Sequence, residues 1–325
     1  MAEARLFTAS DFRPLRDEPG HIAGALDAVE EAVKAVALGG IRSGHLVDRV
    51  EGEFEGIRLA LLAGDGLYSG MRIFGNPPNT RAFALFDGAS RALLALMDYG
   101  ILNSLRVGAT AGVAARHLAP SGATTLGLIG SGWQATPQVL AVQAALPALR
   151  RVRVYSPTKA HREAFAETMT DQTGLEVEPV GSIQDALRDA DVVDLCAPGH
   201  HDVREPLFDP AWVRPGALVI SMAANQYHAS FVPDKRLVAA SWSNLTGEPS
   251  PRPPFDRLIA DGAIGEADFT ELGRVILDGA SPRRSAHDTV LYHLEGGTAQ
   301  DLFVATWGYD WAKARGLGVP FDLSA

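Results

Sequence analysis

A turn of the form G-x-G-x-x-A, set between an apolar strand and a helix, constrains the fold of this chain more than any other feature of its sequence. Residues 124–130 (TTLGLIG) have the composition of a buried strand, and residues 136–147 (TPQVLAVQAALP) have helical spacing. The turn between them is residues 130–135 (GSGWQA). A glycine turn alone is weak evidence, but in this strand–turn–helix context it predicts a dinucleotide-binding βαβ unit.

The alternation of strand and helix continues to residue 223. Further strands are predicted at residues 152–156, 175–180, 192–198 and 217–223, and further helices at residues 159–172 and 182–190. Such alternation builds a parallel sheet with helices on both faces. We therefore predict an α/β chain containing a Rossmann-type, doubly wound parallel sheet.

The turn predicts how a dinucleotide would be held. Gly130 permits the tight turn and Gly132 lets the backbone approach a pyrophosphate, while the following helix offers free N–H groups and the positive end of its dipole. With the ends of two later strands included, the predicted cofactor-binding residues are Gly130, Ser131, Gly132, Trp133, Gln134, Ala197 and Met222.

The end of the second strand indicates which dinucleotide is bound. An acidic residue there would hold the ribose 2′-OH of NAD, whereas a cation would accommodate a 2′-phosphate. This chain has Ser156, Thr158, Lys159 and Arg162 in that region and no acid at the expected position. The pattern favours NADP(H) over NAD(H); the alternative is that both cations are ordinary solvated helix residues.

The region before the glycine turn has a different character. Residues 22–38 predict a helix that ends at Gly39-Gly40, and residues 106–119 predict a second helix rich in small side chains. Between them, residues 56–100 carry short apolar runs broken by turn residues, which are typical of antiparallel strands. Strands of so small a domain cannot bury both faces, so we expect a homodimer formed through this sheet.

Composition excludes several classes of partner. The formal net charge of −10 argues against nucleic acid or an anionic membrane, since both require a basic surface. The single cysteine, Cys196, cannot form an internal disulfide and is expected to be a small buried hydrophobe. The first residues lack the apolar core of a signal peptide, so we expect a cytoplasmic protein. We also expect no metal site.

Several segments in a fixed order resemble one known family. Residues 98–106 (DYGILNSLR), a small-residue helix, residues 117–120 (HLAP) and the glycine turn are similar to the ornithine cyclodeaminase/mu-crystallin family, which carries an L-T-A-L-R-T-A-A type segment before its Rossmann unit. Residues 291–318 are similar to the closing segment of that family, with its Gln-Asp pair. The resemblance extends from about residue 45 to the C-terminus.

The resemblance implies a domain organisation and a set of arginines. A dimerisation and substrate domain of α+β type (residues 1–119 and 297–325) would surround an inserted Rossmann domain (residues 120–296). Arg49, at the place of a family P-P-R, and Arg72, at the place of a family G-x-K, would hold the carboxylate of an amino or imino acid. Arg106 would serve the cofactor phosphates and the active-site cleft. A planar guanidinium suits these roles because it binds carboxylate or phosphate through two hydrogen bonds.

One departure from the family changes the expected chemistry. In ornithine cyclodeaminases, as the resemblance implies, an aspartate after the strand equivalent to residues 217–223 performs proton transfer, whereas this chain has Asn225. An amide has no titratable proton, so Asn225 cannot act as a general acid or base. His228 and Asp98 are alternative proton donors, with a solvated loop residue and a turn-forming residue as their ordinary interpretations.

The sequence therefore favours an NAD(P)H-dependent oxidoreductase that reduces the C–N bond of a small imino acid or ketimine, or that catalyses the reverse amino-acid dehydrogenation. The predicted catalytic residues are Arg72, Asn225, His228 and Asp98. Two alternatives stay open: a cyclodeaminase that releases ammonia, and a non-catalytic protein that binds a small ligand together with NADPH.

Overall fold

The computed structural model describes residues 3–48, 54–62, 66–76, 80–197, 207–223, 226–246, 253–294 and 297–322. Contacts divide the chain into two units, Met1–Arg106 with Gly296–Ala325, and Val107–Glu295. The boundaries predicted from the sequence, after residues 119 and 296, stay a prediction. None of the described helices is long and apolar enough to cross a membrane.

The first unit is built on a mixed sheet. Its elements are β1 (Ala4–Phe7), α1 (Ala9–Asp17), α2 (Ile22–Ala37), β2 (Ile41–Asp48), β3 (Phe54–Leu62), β4 (Tyr68–Asn76), β5 (Thr80–Asp87), β6 (Leu93–Asp98), the first part of α3 (Gly100–Leu118), α10 (Thr298–Ala314) and β15 (Val319–Phe321). Among the described strands the order is β15-β1-β6-β5-β4-β3-β2. Strands β2 to β6 pair antiparallel with their chain neighbours, so the predicted antiparallel region is confirmed.

Helix α2 shows why the first unit packs as it does. It buries one stripe at helical spacing and turns its charged residues outward, and it ends where Gly39 adopts a left-handed φ of 70°. The helix α10 packs against α2 and against the sheet. Gly24 allows this approach, because a Cβ at that position would lie 2.4 Å from the indole nitrogen of Trp307. The C-terminal segment is therefore part of the core of this unit.

The second unit has the predicted alternation of strand and helix. Its elements are the rest of α3, β7 (Thr125–Ile129), α4 (Ala135–Ala145), β8 (Arg151–Tyr155), α5 (Lys159–Thr173), β9 (Glu176–Pro179), α6 (Ile183–Leu187), β10 (Val192–Leu195), β11 (Leu218–Ser221), β12 (Arg236–Ala239), α7 (Trp242–Thr246), α8 (Phe255–Ala260), β13 (Phe269–Glu271), α9 (Leu272–Asp278) and β14 (Val290–His293).

All described strands of the second unit pair in parallel, in the order β13-β12-β14-β11-β10-β7-β8-β9. Every residue of β10, β11 and β14 is buried, as expected for strands covered on both faces. The predicted fold class, with a Rossmann-type parallel sheet in one unit and an α+β second unit, is confirmed. Ser182 caps α6, where its Oγ accepts a hydrogen bond from the Asp185 amide at 3.0 Å.

The helix α3 corrects one prediction. The sequence predicted a helix from residue 106, but α3 begins at Gly100, where the Asp98 carboxylate accepts the Gly100 amide at 2.9 Å. The apolar run before Arg106 continues the helical spacing, so Arg106 lies in the second turn rather than at the start. Further along α3, a Cβ at Gly108 would lie 2.5 Å from the backbone oxygen of Pro137 in α4. The small side chains of α3 therefore serve a close helix–helix contact.

A carboxyl group is buried in the middle of the parallel sheet. Asp194 of β10 is fully buried, and among the described residues neither of its oxygens has a hydrogen-bond partner. Burial raises the pKa of Asp194 to about 8. This carboxyl group is therefore mostly neutral at pH 7.

The pKa of Asp194 predicts a pH-dependent stability. The folded state holds this proton to about pH 8, whereas the unfolded chain releases it near pH 4, so stability falls as the pH rises between these values. We expect Asp194→Asn, which mimics the neutral form, to gain about 1.4 kcal/mol over wild type for each pH unit in this window. Urea unfolding at pH 5, 6, 7 and 8 measures the difference, with the exposed Asp171→Asn as control. Parallel stability curves for wild type and Asp194→Asn would contradict this account.

Candidate functional site

The glycine turn lies where the ends of three parallel strands meet. Gly130 has a φ of 116°, and a Cβ on it would lie 2.9–3.0 Å from backbone atoms of Cys196 and Ala197, at the end of β10. Its amide donates to the Tyr155 carbonyl, at the end of β8, at 2.7 Å. Only glycine has this conformation and this space, so the turn is held against two neighbouring strands.

Gly132 meets a different requirement. A Cβ at Gly132 would have nothing within 4 Å, so the space in front of the turn is open. The Ala135 amide donates to the Gly132 carbonyl at 2.9 Å and begins α4, whose first N–H groups and positive dipole end lie next to this space. The residues present fit a dinucleotide pyrophosphate. The Trp133 side chain is 54% exposed on the same turn.

The residues predicted to select the dinucleotide lie at the end of β8. The Ser131 Oγ donates to the Ser156 Oγ at 2.8 Å, and Ser156 is buried. Arg162 donates to the Ser156 carbonyl at 2.9 Å, and its guanidinium lies 5.8 Å from the centre of the Tyr155 ring. A cation is thus fixed beside the position that carries an acid in NAD-specific sites.

Two neighbours of this position are less constrained. Thr158 is the N-cap residue of α5, and its side chain makes no capping hydrogen bond. The Lys159 side chain is 75% exposed and lies 3.7 Å from the Glu163 carboxylate. Such an exposed ion pair contributes little, so Lys159 has the freedom of a surface side chain.

The ends of β10 and β11 are joined by a side chain that sequence reasoning missed. Gln226 is fully buried, and its amide bonds to backbone groups of both strand ends, including the carbonyl of Ala197 at 2.6 Å and the amide of Met222 at 3.0 Å. Ala197 and Met222, which the sequence assigned to the cofactor, are therefore held by one residue. No local pattern marks Gln226, because two of its partners, the carbonyls of Leu195 and Ala197, belong to a distant strand end.

Cys196 follows β10 at the same edge. Burial, together with the nearby Asp194, raises the pKa of the Cys196 thiol well above its ordinary value. A thiol that stays protonated is a poor nucleophile, so Cys196 behaves as the small hydrophobe expected from the sequence. Among the described residues there is also no cluster of three His, Cys, Asp or Glu residues that could hold a metal ion.

The first unit contains a buried ionic cluster centred on Asp301. The Arg72 Nη1 donates to Asp301 Oδ2 at 2.9 Å, and the Arg106 Nε donates to Asp301 Oδ1 at 3.0 Å. The Asn103 Oδ1 accepts from the Arg106 Nη2 at 2.9 Å, and the Tyr99 hydroxyl donates to the Asp301 carbonyl at 2.9 Å. The structure thus brings together Arg72 and Arg106, two of the predicted site residues, on one carboxylate.

The electrostatics of this cluster follow from burial and charge. Burial opposes the charge of Arg72, but Asp301 outweighs this effect and the pKa of Arg72 is raised. Burial, and then Asp301, raise the pKa of Tyr99 well above its ordinary value, so its hydroxyl remains a hydrogen-bond donor. The Arg72 guanidinium also lies 5.2 Å from the centre of the Tyr99 ring.

A third arginine lies beside the cluster. Arg72 of β4 is paired with Phe83 of β5, so Arg81, two residues before Phe83, is on the same face of the sheet. Burial lowers the pKa of Arg81, and the positive charges of Arg72 and Arg106 lower it further. Three guanidinium groups therefore share a region in which Asp301 is the fully buried carboxylate.

Sequence reasoning missed Asp301 and Arg81 for different reasons. An acid in the first turn of a helix is favoured by the helix dipole alone, which hides the role of Asp301 in α10. Arg81 carried a usable signal, since it shares the face of β5 that also presents Phe83 and Leu85 to the core.

The predicted proton donors have structural partners. The Asp98 carboxylate accepts the amide that begins α3, which is the turn-forming role named as its alternative. The exposed His228 caps a short 3₁₀ turn, where its Nδ1 accepts the Ser230 amide at 3.2 Å. Proton donation by either residue stays a prediction. Arg49 and Asn225 lie outside the described residues.

Comparison with known proteins agrees with the resemblance found in the sequence. Residues 66–316 match the family model of the ornithine cyclodeaminase/mu-crystallin family. The ketimine reductase mu-crystallin of Mus musculus is 28% identical over 242 residues, which is 74% of this chain and 72% of that protein. A Delta(1)-pyrroline-2-carboxylate reductase of Bacillus cereus is 27% identical over 69% of each chain.

A solved structure shares the fold over the whole chain. The Delta(1)-pyrroline-2-carboxylate reductase of Thermococcus litoralis, in complex with NADH and L-proline, aligns with a TM-score of 0.84 at 22% identity and covers 98% of this chain and 100% of its own. The relatives are oxidoreductases, so the predicted enzyme class is confirmed. The match to residues 66–316 spans most of the sequence, and this chain belongs to the ornithine cyclodeaminase/mu-crystallin family.

Proposed function

We propose that this protein is an NAD(P)H-dependent reductase of a small imino acid or ketimine. The observation that carries the proposal is the buried arginine cluster on Asp301. Arg72 and Arg106 are both held by Asp301, and the positive charges of both act on Arg81, which lies on the same face of the sheet as Arg72. Guanidinium groups gathered in a largely buried region attract an anion, and the carboxylate of an imino acid fits a guanidinium through two hydrogen bonds.

Different residues of the chain would bind the cofactor and orient the substrate. The turn at Gly130 and Gly132 would hold the pyrophosphate, and the arginine cluster would orient the substrate carboxylate. A bound reduced nicotinamide supplies the hydride. Because Arg72 and Arg106 are held by Asp301, little side-chain freedom is lost when the substrate binds, so the orientation is prepared in advance.

The absence of a titratable group at Asn225 favours imine reduction over cyclodeamination. A preformed cyclic imine can arrive protonated and needs only orientation and reduction. Oxidising ornithine first requires loss of a proton from an ammonium group, which at pH 7 costs about 4–5 kcal/mol without a base. We propose His228, through Nε2, and Asp98 as the positions that exchange protons in place of an aspartate at 225.

We also propose NADP(H) as the preferred cofactor. Ser156 and the anchored Arg162 support this preference, because the first can donate to a 2′-phosphate and the second can neutralise it. We further propose a homodimer formed through the sheet of the first unit. A solved relative in fold is described as an archaeal alanine dehydrogenase dimer with bound NAD, at 23% identity and a TM-score of 0.85.

The first test of the proposed function compares two substrates. We expect the wild-type protein to reduce a preformed cyclic imino acid but not to convert ornithine to proline, since Asn225 offers no proton acceptor. We expect Asn225→Asp to raise any oxidative activity more than the reductive activity. Cofactor absorbance and ammonia release measure the two reactions. If wild type cyclises ornithine at a rate that Asn225→Asp does not improve, another residue holds the proton-transfer role.

A second prediction concerns the substrate carboxylate. Arg72→Lys retains the charge but loses the two-point contact, so we expect KM for the imino acid to rise by about 3–10-fold. We expect Arg72→Gln to raise KM by about 10–100-fold, the loss of a hydrogen bond to a charged group, with a smaller change in kcat. The exposed Arg91→Gln is the control. An unchanged KM in both Arg72 variants, with folded protein, would remove Arg72 from the substrate site.

A third prediction concerns cofactor preference. Fluorescence titration of the wild-type protein should show tighter binding of NADPH than of NADH. Ser156→Asp should reverse this order, because the carboxylate repels the 2′-phosphate and accepts from the 2′-OH. The matched control is Thr168→Asp, an exposed position further along α5. Equal affinities in wild type, or a preference for NADH, would defeat the proposed preference for NADP(H).

A further inference from the structure

We infer that Gln226 is a positioning residue for the nicotinamide end of the cofactor; this inference rests on the proposed function. Its carbonyl oxygen accepts three hydrogen bonds at the end of β11, from the Ser221 Oγ at 2.8 Å, the Met222 amide at 3.0 Å and the Ala223 amide at 3.1 Å. The side chain therefore fixes the backbone that follows β11.

The nitrogen of the same amide fixes the neighbouring strand end. The Gln226 Nε2 donates to the Leu195 carbonyl at 2.7 Å and to the Ala197 carbonyl at 2.6 Å. Strands β10 and β11 lie side by side, with Leu195 paired to Ser221. One amide thus joins the backbone beyond both strands, and both of its donor hydrogens are used.

The backbone at these strand ends lies where a bound ligand would contact it. In open parallel sheets, ligands bind outside the carboxyl ends of the strands. The segment that Gln226 holds is also the one that Gly130 approaches, since a Cβ on Gly130 would lie 3.0 Å from the Ala197 amide nitrogen. The turn and Ser156 serve the pyrophosphate and adenosine end, which leaves the ends of β10 and β11 for the nicotinamide end.

The chemistry of an amide is required at this position. A carboxylate would keep the three acceptor contacts but would face two backbone carbonyls without a donor. A leucine would leave donors and acceptors of both strand ends unsatisfied. The Gln226 side chain is fully buried, so water does not readily replace these bonds.

Comparing the affinity for NADPH with the affinity for its adenosine half, 2′,5′-ADP, separates a positioning role of Gln226 from a general loss of stability. The variants are Gln226→Glu and Gln226→Leu, with Gln143→Leu as control, because Gln143 donates one hydrogen bond to the Thr173 carbonyl away from this edge. Calorimetry below the unfolding temperature of each variant measures the Kd of NADPH and of 2′,5′-ADP. We expect the Kd of NADPH to rise at least tenfold in both Gln226 variants, while that of 2′,5′-ADP changes less than threefold.

A measurement on the wild-type protein covers the case in which the variants do not fold. NADPH, but not 2′,5′-ADP, should slow hydrogen exchange at the amides of Met222 and Ala223. Equal losses of affinity for both ligands, no loss for either, or equal exchange protection by both would overturn the inference. If wild type binds neither NADPH nor NADH, the proposed function itself fails; if it binds them but the variants do not separate the two ligands, only the role of Gln226 fails.

Discussion

The packing of the first unit depends on the ion pairs that the buried Asp301 carboxylate makes. It joins three distant parts of the chain, because α10 supplies the carboxylate, β4 supplies Arg72 and α3 supplies Arg106. Ions so deeply buried are tolerated only when paired and hydrogen-bonded, so the helix that returns from the C-terminus cannot be displaced without removing the carboxylate that Arg72 and Arg106 share. The contacts that close this unit are therefore the same contacts that hold its two buried arginines in place.

The second unit holds two of its strand ends together with a neutral side chain. Its central strands β10, β11 and β14 are buried on both faces, and the Gln226 amide bonds to the backbone at the ends of β10 and β11. This amide carries no charge, so it holds the strand ends without placing a carboxylate beside the anionic dinucleotide that we propose to bind there. The division suits a reductase, since the substrate carboxylate and the cofactor phosphates are both anionic and each needs its own donors.

Local patterns predicted most of the fold, and long-range partners account for what was missed. The glycine turn and the strands around it each depend on residues within one or two elements, so their spacing alone was sufficient. Asp301 depends on Arg72 and Arg106, and Gln226 also bonds to the Leu195 carbonyl, partners that only the folded chain brings near. The start of α3 was missed because the apolar run before Arg106 fits a strand or a helix equally well, and the cap at Asp98 decided between them. Arg72 was found only through the family resemblance.

The contact between Gly108 and Pro137 extends the dinucleotide motif beyond its own hexapeptide. The helix α4, whose N-terminus we propose to bind the cofactor phosphates, rests on a glycine in α3, upstream of the turn by a full strand. Natural variation at residue 108 should therefore be confined to glycine in relatives that keep this helix in place. A protein designer who grafts the turn onto another scaffold would need to transplant that supporting helix as well, since the six residues of the turn do not by themselves set the height of α4 above the sheet.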